Sequence, residues 1–157
     1  MKIKTTIQLS LVEEKDIAYT AGIIDGEGSI WPQKIHCGSR GGNAITVSVG
    51  MTSETIPQWL SETWGGTYYF YKSKKPHCKD KWTWFLSSDR AVYFLQIILP
   101  YLKLKQKQAR IAIDLQIARS KRRPRRATEE EKEIETYQIN LMKELNRKGK
   151  KEGFAEG

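Results

Sequence analysis

The chain has 157 residues, enough for one domain with a true core, whereas chains below roughly 40 residues need staples to hold together. Ten Lys and Arg but only one Asp fall between positions 101 and 126; seventeen charges of each sign balance elsewhere, so the net +9 is one local patch. A concentrated basic patch suits a polyphosphate partner, and no apolar run approaches the ~18–20 residues of a membrane span, which argues against a membrane partner. The start, MKIKTTIQLSLVEE, lacks the apolar region and cleavage site of a signal peptide, so an intracellular location is predicted, in cytoplasm or an organelle matrix. Two cysteines, Cys37 and Cys78, give no disulfide framework.

In chain order, Ser10 and Glu13 have capping-box spacing, and Ile17, Ala21 and Ile24 follow at i, i+4, i+7, predicting a helix stopped by Gly26 and Gly28. Asp25 and Glu27 at its end are unfavourable beside the partial negative charge of a helix C-terminus, so something positive should sit there. Ala18, Gly22 and Gly26 recur at i, i+4, i+8, a stripe that would let a second helix come close. SIWPQKIHC, a Gly-rich turn and AITVSVGMT read as a hairpin with Ile45, Val47, Val49 and Met51 on its apolar face. Residues 53–64 read as a helix ending at Gly65–Gly66, with Pro57 tolerable only in its first turn.

A second hairpin with a basic turn spans TYYFYKSKKPHCKDKWTWFLSS, with Tyr69 and Tyr71 on one face. Three helices follow: DRAVYFLQIIL closed by Pro100, KQKQARIAIDLQIARS, and one capped by Thr128 with Glu131 that carries Ile134, Tyr137, Leu141 and Leu145. The run RSKRRPRR at 119–126 is read as an exposed connector, either a solvated linker or a phosphate grip. One domain is predicted over 10–148, with a core of about 10–119, a C-terminal helical extension at 120–148 and a loose tail at 149–157. The His36–Cys37 and His77–Cys78 pairs lack zinc spacing, and the glycines match no nucleotide-binding fingerprint.

TAGIIDGEGS resembles the LAGLIDADG motif of homing endonucleases, and YLKLKQKQA at 101–109 resembles the matching segment of their single-motif, intron-encoded members. The resemblance spans roughly residues 15–118. It implies an α+β fold of αββαββα order, with a saddle-shaped four-stranded antiparallel sheet, to which C-terminal helices are added. One motif copy implies a homodimer meeting along Ala18, Ala21, Gly22 and Asp25, and a near-palindromic double-stranded DNA site.

In that reading Glu27 matches the metal-binding acid and, with the Gly26 carbonyl, would hold Mg²⁺, the missing positive charge. Glu stands where Asp is commoner. Asp25 is better suited to a capping or interface role than to metal ligation. Lys105 matches the active-site lysine and Ser53 a position in the water-positioning pocket; these two and Glu27 form the implied catalytic set. A plain backbone-binding role for Lys105 stays open.

Gln33, Arg40, Thr46, Ser48, Tyr69, Tyr71 and Thr83 are the candidate base readers on the open strand face, with Lys107, Arg122 and Arg123 on phosphates. An ordinary sheet-surface role for Tyr69 and Tyr71 stays open. The implied function is a metal-dependent, site-specific endonuclease that breaks both strands. The alternative is a non-cleaving binder, either an intron-RNA maturase, with intron RNA as partner, or a DNA-binding regulator.

Overall fold

The computed structural model describes residues 11–35, 42–122 and 125–152. Helix α1 (Glu14–Glu27) runs directly into β1 (Gly28–Ile35), which pairs with β2 (Gly42–Met51). Helix α2 (Thr55–Trp64) leads to β3 (Thr67–Tyr71) and β4 (Lys81–Ser87), and α3 (Ser88–Ile98), α4 (Gln106–Lys121) and α5 (Glu129–Glu152) complete the chain. The strands form one four-stranded antiparallel sheet in the order β1-β2-β4-β3, so the αββαββα order is observed with two helices added.

Period-two alternation builds the core. Ile30, Val47 and Leu86 lie side by side across β1, β2 and β4, with Val49 and Trp84 in the next row, and all five are buried under the helices. Trp64, Trp84 and Phe94 meet edge to face at 5.1 and 5.4 Å, joining α2, β4 and α3. Their polar ends are satisfied: Trp84 Nε1 donates to the Gly65 carbonyl at 2.8 Å, and Trp64 Nε1 to Thr20 Oγ1 at 3.0 Å.

Two glycine positions are dictated by geometry. Gly66 has φ +88°, and a Cβ there would meet the Phe85 carbonyl at 2.6 Å. At Gly28, a Cβ would lie 2.7 Å from the Ile24 carbonyl, so only glycine lets the strand leave the helix without a linker.

Three expectations are corrected at the element ends. Helix α1 begins at Glu14 with Glu13 as its N-cap and no side-chain cap bond; Ser10, the expected cap, lies outside the described residues. Gly26 does not stop α1, which continues to Glu27. Helix α5 extends to Glu152, past the boundary expected at 148.

The capping box at the start of α5 forms in full, because Glu131 N donates to Thr128 Oγ1 at 3.2 Å and Thr128 N to Glu131 Oε2 at 2.9 Å. The face that docks is Glu135, Ile139, Met142 and Asn146, whereas Ile134, Tyr137 and Leu141 face solvent. Asn146 Nδ2 donates to the Ile30 carbonyl at 3.1 Å, so α5 covers an edge strand.

The Arg125 guanidinium, in a two-point contact, and the Thr128 N–H hold the Glu131 carboxyl down from 4.5 to about 2. A depressed carboxylate stabilises the fold fully above its unfolded value and loses that contribution as pH falls through the folded one. Circular dichroism is expected to show α5 fraying between pH 4.5 and about 2. Glu131→Gln is expected to flatten that acid dependence and to weaken α5 at neutral pH.

Candidate metal centre and nucleic-acid interface

The end of α1 and the segment leading into α4 are clamped reciprocally. Lys105 Nζ donates to the carbonyls of Ile24 (2.7 Å), Asp25 (2.9 Å) and Gly28 (2.7 Å). In return, the Asp25 carboxylate accepts the backbone N–H groups of Lys103 (2.7 Å), Leu104 (3.1 Å) and Lys105 (3.0 Å). The ammonium thus sits where the helix dipole is negative and the carboxylate where the N–H groups before α4 converge. Burial pushes the Lys105 ammonium below its usual lysine value, and the Asp25 and Glu27 charges pull it partly back.

This arrangement engages both residues at once. A positive group demanded by the acids at the helix end is supplied within the chain, by Lys105. Asp25, expected in a capping or interface role, caps the three N–H groups of the 103–105 segment. All three Lys105 protons are on carbonyls, which ties the end of α1 to the segment before α4.

Glu27 is exposed and makes no hydrogen bond or ion pair with another described residue, and the Gly26 carbonyl is not among the three that Lys105 uses. One free carboxylate beside a carbonyl is the hard oxygen donor set that Mg²⁺ takes. No group of three or more His, Cys, Asp or Glu able to hold a metal occurs among the described residues, so one chain offers only part of a coordination shell. Ser53 lies at the same end of the sheet, since Gly28 pairs with Val49 and β2 ends at Met51. Its Oγ donates to Thr55 Oγ1 at 3.2 Å and accepts the Thr55 N–H at 3.3 Å, opening α2.

The stripe on α1 divides. Ala18, Gly22 and Gly26 are exposed, and a Cβ added at Gly22 or Gly26 would meet nothing within 4 Å. Ala21 is corrected: it is 0 % exposed, inside the chain's own core with Ile24. Spacing of i+3 and i+4 places Ala21 on the neighbouring, inward face.

The sheet face away from the core carries Gln33, Ser48, Tyr69, Tyr71 and Thr83, with Lys81 Nζ 5.8 Å from the Tyr71 ring centroid. Gln33, Tyr69 and Tyr71 are exposed, Ser48 and Thr83 half-buried. Thr46 is corrected: at 2 % exposure beside Trp31 it donates its hydroxyl to Gln33 Oε1 at 3.0 Å, so it orients a neighbour and has no free surface of its own.

Lys107 is exposed in the first turn of α4. Arg122 is corrected as a phosphate grip: its guanidinium pairs with Glu135 at 2.9 Å, the side chains 15 and 16 % exposed, pinning α5 to the end of α4. Arg40 and Arg123 lie outside the described residues, as do His36 and Cys37. Sequence reading missed the Lys105 cage and the Arg122–Glu135 pair. The signal for the first was present, a lone helix end needing a cation and a lysine segment needing an anion.

No family model and no curated protein matches the sequence. Solved structures match by fold, and those are consistently LAGLIDADG homing endonucleases. The homing endonuclease I-CvuI, crystallised with the I-CreI target in 2 mM Mg and with its DNA uncut, superposes with a TM-score of 0.68 at 17 % identity, over 83 % of this chain and 82 % of that one. The archaeal intron-encoded I-Vdi141I, complexed with DNA, gives 0.57 at 11 % identity over 86 and 99 %. I-TnaI gives 0.57 at 13 % over 86 and 96 %. No helix among the described residues is long and apolar enough to cross a membrane.

Removing the Lys105 charge tests the clamp. Lys105→Met withdraws donors from three carbonyls at a half-buried helix end, and is expected to cost about 2 kcal/mol in urea unfolding, since bonds to charged groups are worth more than neutral ones.

Proposed function

We propose, on the premise that this chain has the LAGLIDADG endonuclease fold, that it is a homodimeric, Mg²⁺-dependent endonuclease that hydrolyses both strands of a long, near-palindromic DNA site. The observation that carries the reading is the exposed, uncommitted Glu27 carboxylate at the end of a helix whose small-residue face is also open. Two copies meeting along Ala18, Gly22 and Gly26 bring two such helix ends together, and with them the second carboxylate that one chain lacks.

Bound there, Mg²⁺ supplies a Lewis acid for the phosphate and lowers the pKa of a coordinated water. The chain's own residues do the rest. Glu27 and the Gly26 carbonyl would hold the ion, and Lys105 with Asp25 ties that helix end to the segment leading into α4. Ser53 orients water from the start of α2. Gln33, Ser48, Tyr69, Tyr71 and Thr83 meet base edges, with Thr46 holding the Gln33 amide in one orientation. Lys107 meets the backbone, whose many charges make binding salt-dependent.

Two measurements test this reading. Glu27→Gln keeps the side-chain shape but removes the ligand charge, so cleavage in Mg²⁺ is expected to drop at least about a hundredfold while specific binding of the same duplex persists. Wild-type cutting by the variant removes Glu27 from the mechanism; a wild-type chain that binds its site and never cuts is the maturase or regulator instead. Gly22→Leu places a side chain where two backbones would meet, a misfit of ~1–3 kcal/mol. Sedimentation is expected to show a weakened dimer at unchanged monomer stability, and an equally tight dimer rejects this interface.

A further inference from the structure

The exposed face of α5 is a self-complementary strip. Ile134 (54 % exposed), Tyr137 (70 %) and Leu141 (36 %) recur at i, i+3, i+7, to one side of the face that docks on the chain. Large apolar residues aligned over two turns of a surface helix are a surface awaiting a partner, whereas scattered ones need no explanation.

The charges select the partner. The first half of α5 is acidic, with Glu129, Glu130, Glu131, Glu133 and Glu135, and the second half carries Lys143 and Arg147. Glu131 and Glu135 are spent on Arg125 and Arg122, and Glu129 on Lys132. Glu130, Glu133, Lys143 and Arg147 are exposed and in no ion pair among the described residues. A two-fold axis through the middle of α5 sets Tyr137 of one copy against Leu141 of the other, twice. The same axis brings Glu133 opposite Arg147, again twice, because both lie on the same flank of the strip and like flanks face each other in an antiparallel pair. In a parallel pair unlike flanks meet, so Glu133 of one copy and Arg147 of the other would lie about fourteen residues apart along the helix and on opposite sides of the seam. An antiparallel second copy joins Tyr137 to Leu141 and Glu133 to Arg147 in one arrangement.

We infer that α5 is a second self-association surface, at which two copies of this chain pair antiparallel through Tyr137 and Leu141 with reciprocal Glu133–Arg147 ion pairs. The inference stands apart from the α1 contact proposed above. If both form, α5 joins dimers into larger assemblies.

Sedimentation of the full chain without DNA, at low salt over a concentration series, tests it in the wild-type and Gly22→Leu backgrounds. Tyr137→Asp and Arg147→Glu are each expected to weaken one association step by about tenfold or more, in both backgrounds. These side chains are exposed, so circular dichroism should be unchanged. Glu133→Arg combined with Arg147→Glu is expected to restore the step, since both ion pairs re-form with signs exchanged. Wild type and Tyr137→Asp sedimenting alike at every concentration overturns the surface, and a double reversal no better than the single one overturns the antiparallel pairing. A step weakened by Gly22→Leu alone belongs to α1, and Tyr137→Asp without effect in the Gly22→Leu background overturns the independence of the two contacts.

Discussion

The exchange between Lys105 and Asp25 is the interaction on which the remaining geometry rests. Each residue places its side chain on the other's backbone: an ammonium on helix carbonyls and a carboxylate on the N–H groups that precede a helix. Six hydrogen bonds, each with a charged partner, close between two short segments. Such bonds are about twice as strong as neutral ones, and because each charge is met by oriented dipoles, neither is left uncompensated on burial. The clamp joins elements eighty positions apart and leaves Glu27, one residue from its edge, outward and unspent.

Much of the fold could be read in advance because its signals are local and mutually consistent. The alternation of Ile45, Val47 and Val49 sets the face of β2, Gly65–Gly66 ends α2, and the Thr128–Glu131 box starts α5. What escaped reading depends on tertiary neighbours. Ala21 and Gly22 are adjacent small residues in one helix, and nothing in their identity says which one the core takes. Thr46 alternates as a polar, outward residue should, yet it is buried and spends its hydroxyl on Gln33. In α5, Ile134, Tyr137 and Leu141 make a plausible buried stripe, but docking is decided by Met142 and by the polar pair Arg122–Glu135.

The candidate site follows the same division. Glu27 was legible because an acid at a helix C-terminus contradicts the local electrostatics, and such contradictions concentrate at functional positions. The basic run was legible as charge but not as contact. Arg122 and Arg125 spend their guanidinium groups on acids of α5, so part of the patch that looks available to an outside polyanion is internal architecture. Net charge reports long-range attraction; only geometry reports which cations remain to make contact.

The absence of any linker between α1 and β1 has a mechanical result. Glu27 closes the helix, Gly28 opens the strand, and the close approach of Gly28 to the Ile24 backbone leaves no slack at the joint. A rotation of α1 is therefore also a rotation of the sheet's first strand, the two behaving as arm and blade of one lever. For this chain, shifting the backbone of β1 and shifting the Glu27 carboxylate are one displacement, whereas a change of side chain on β1 alters its contacts and leaves the joint alone.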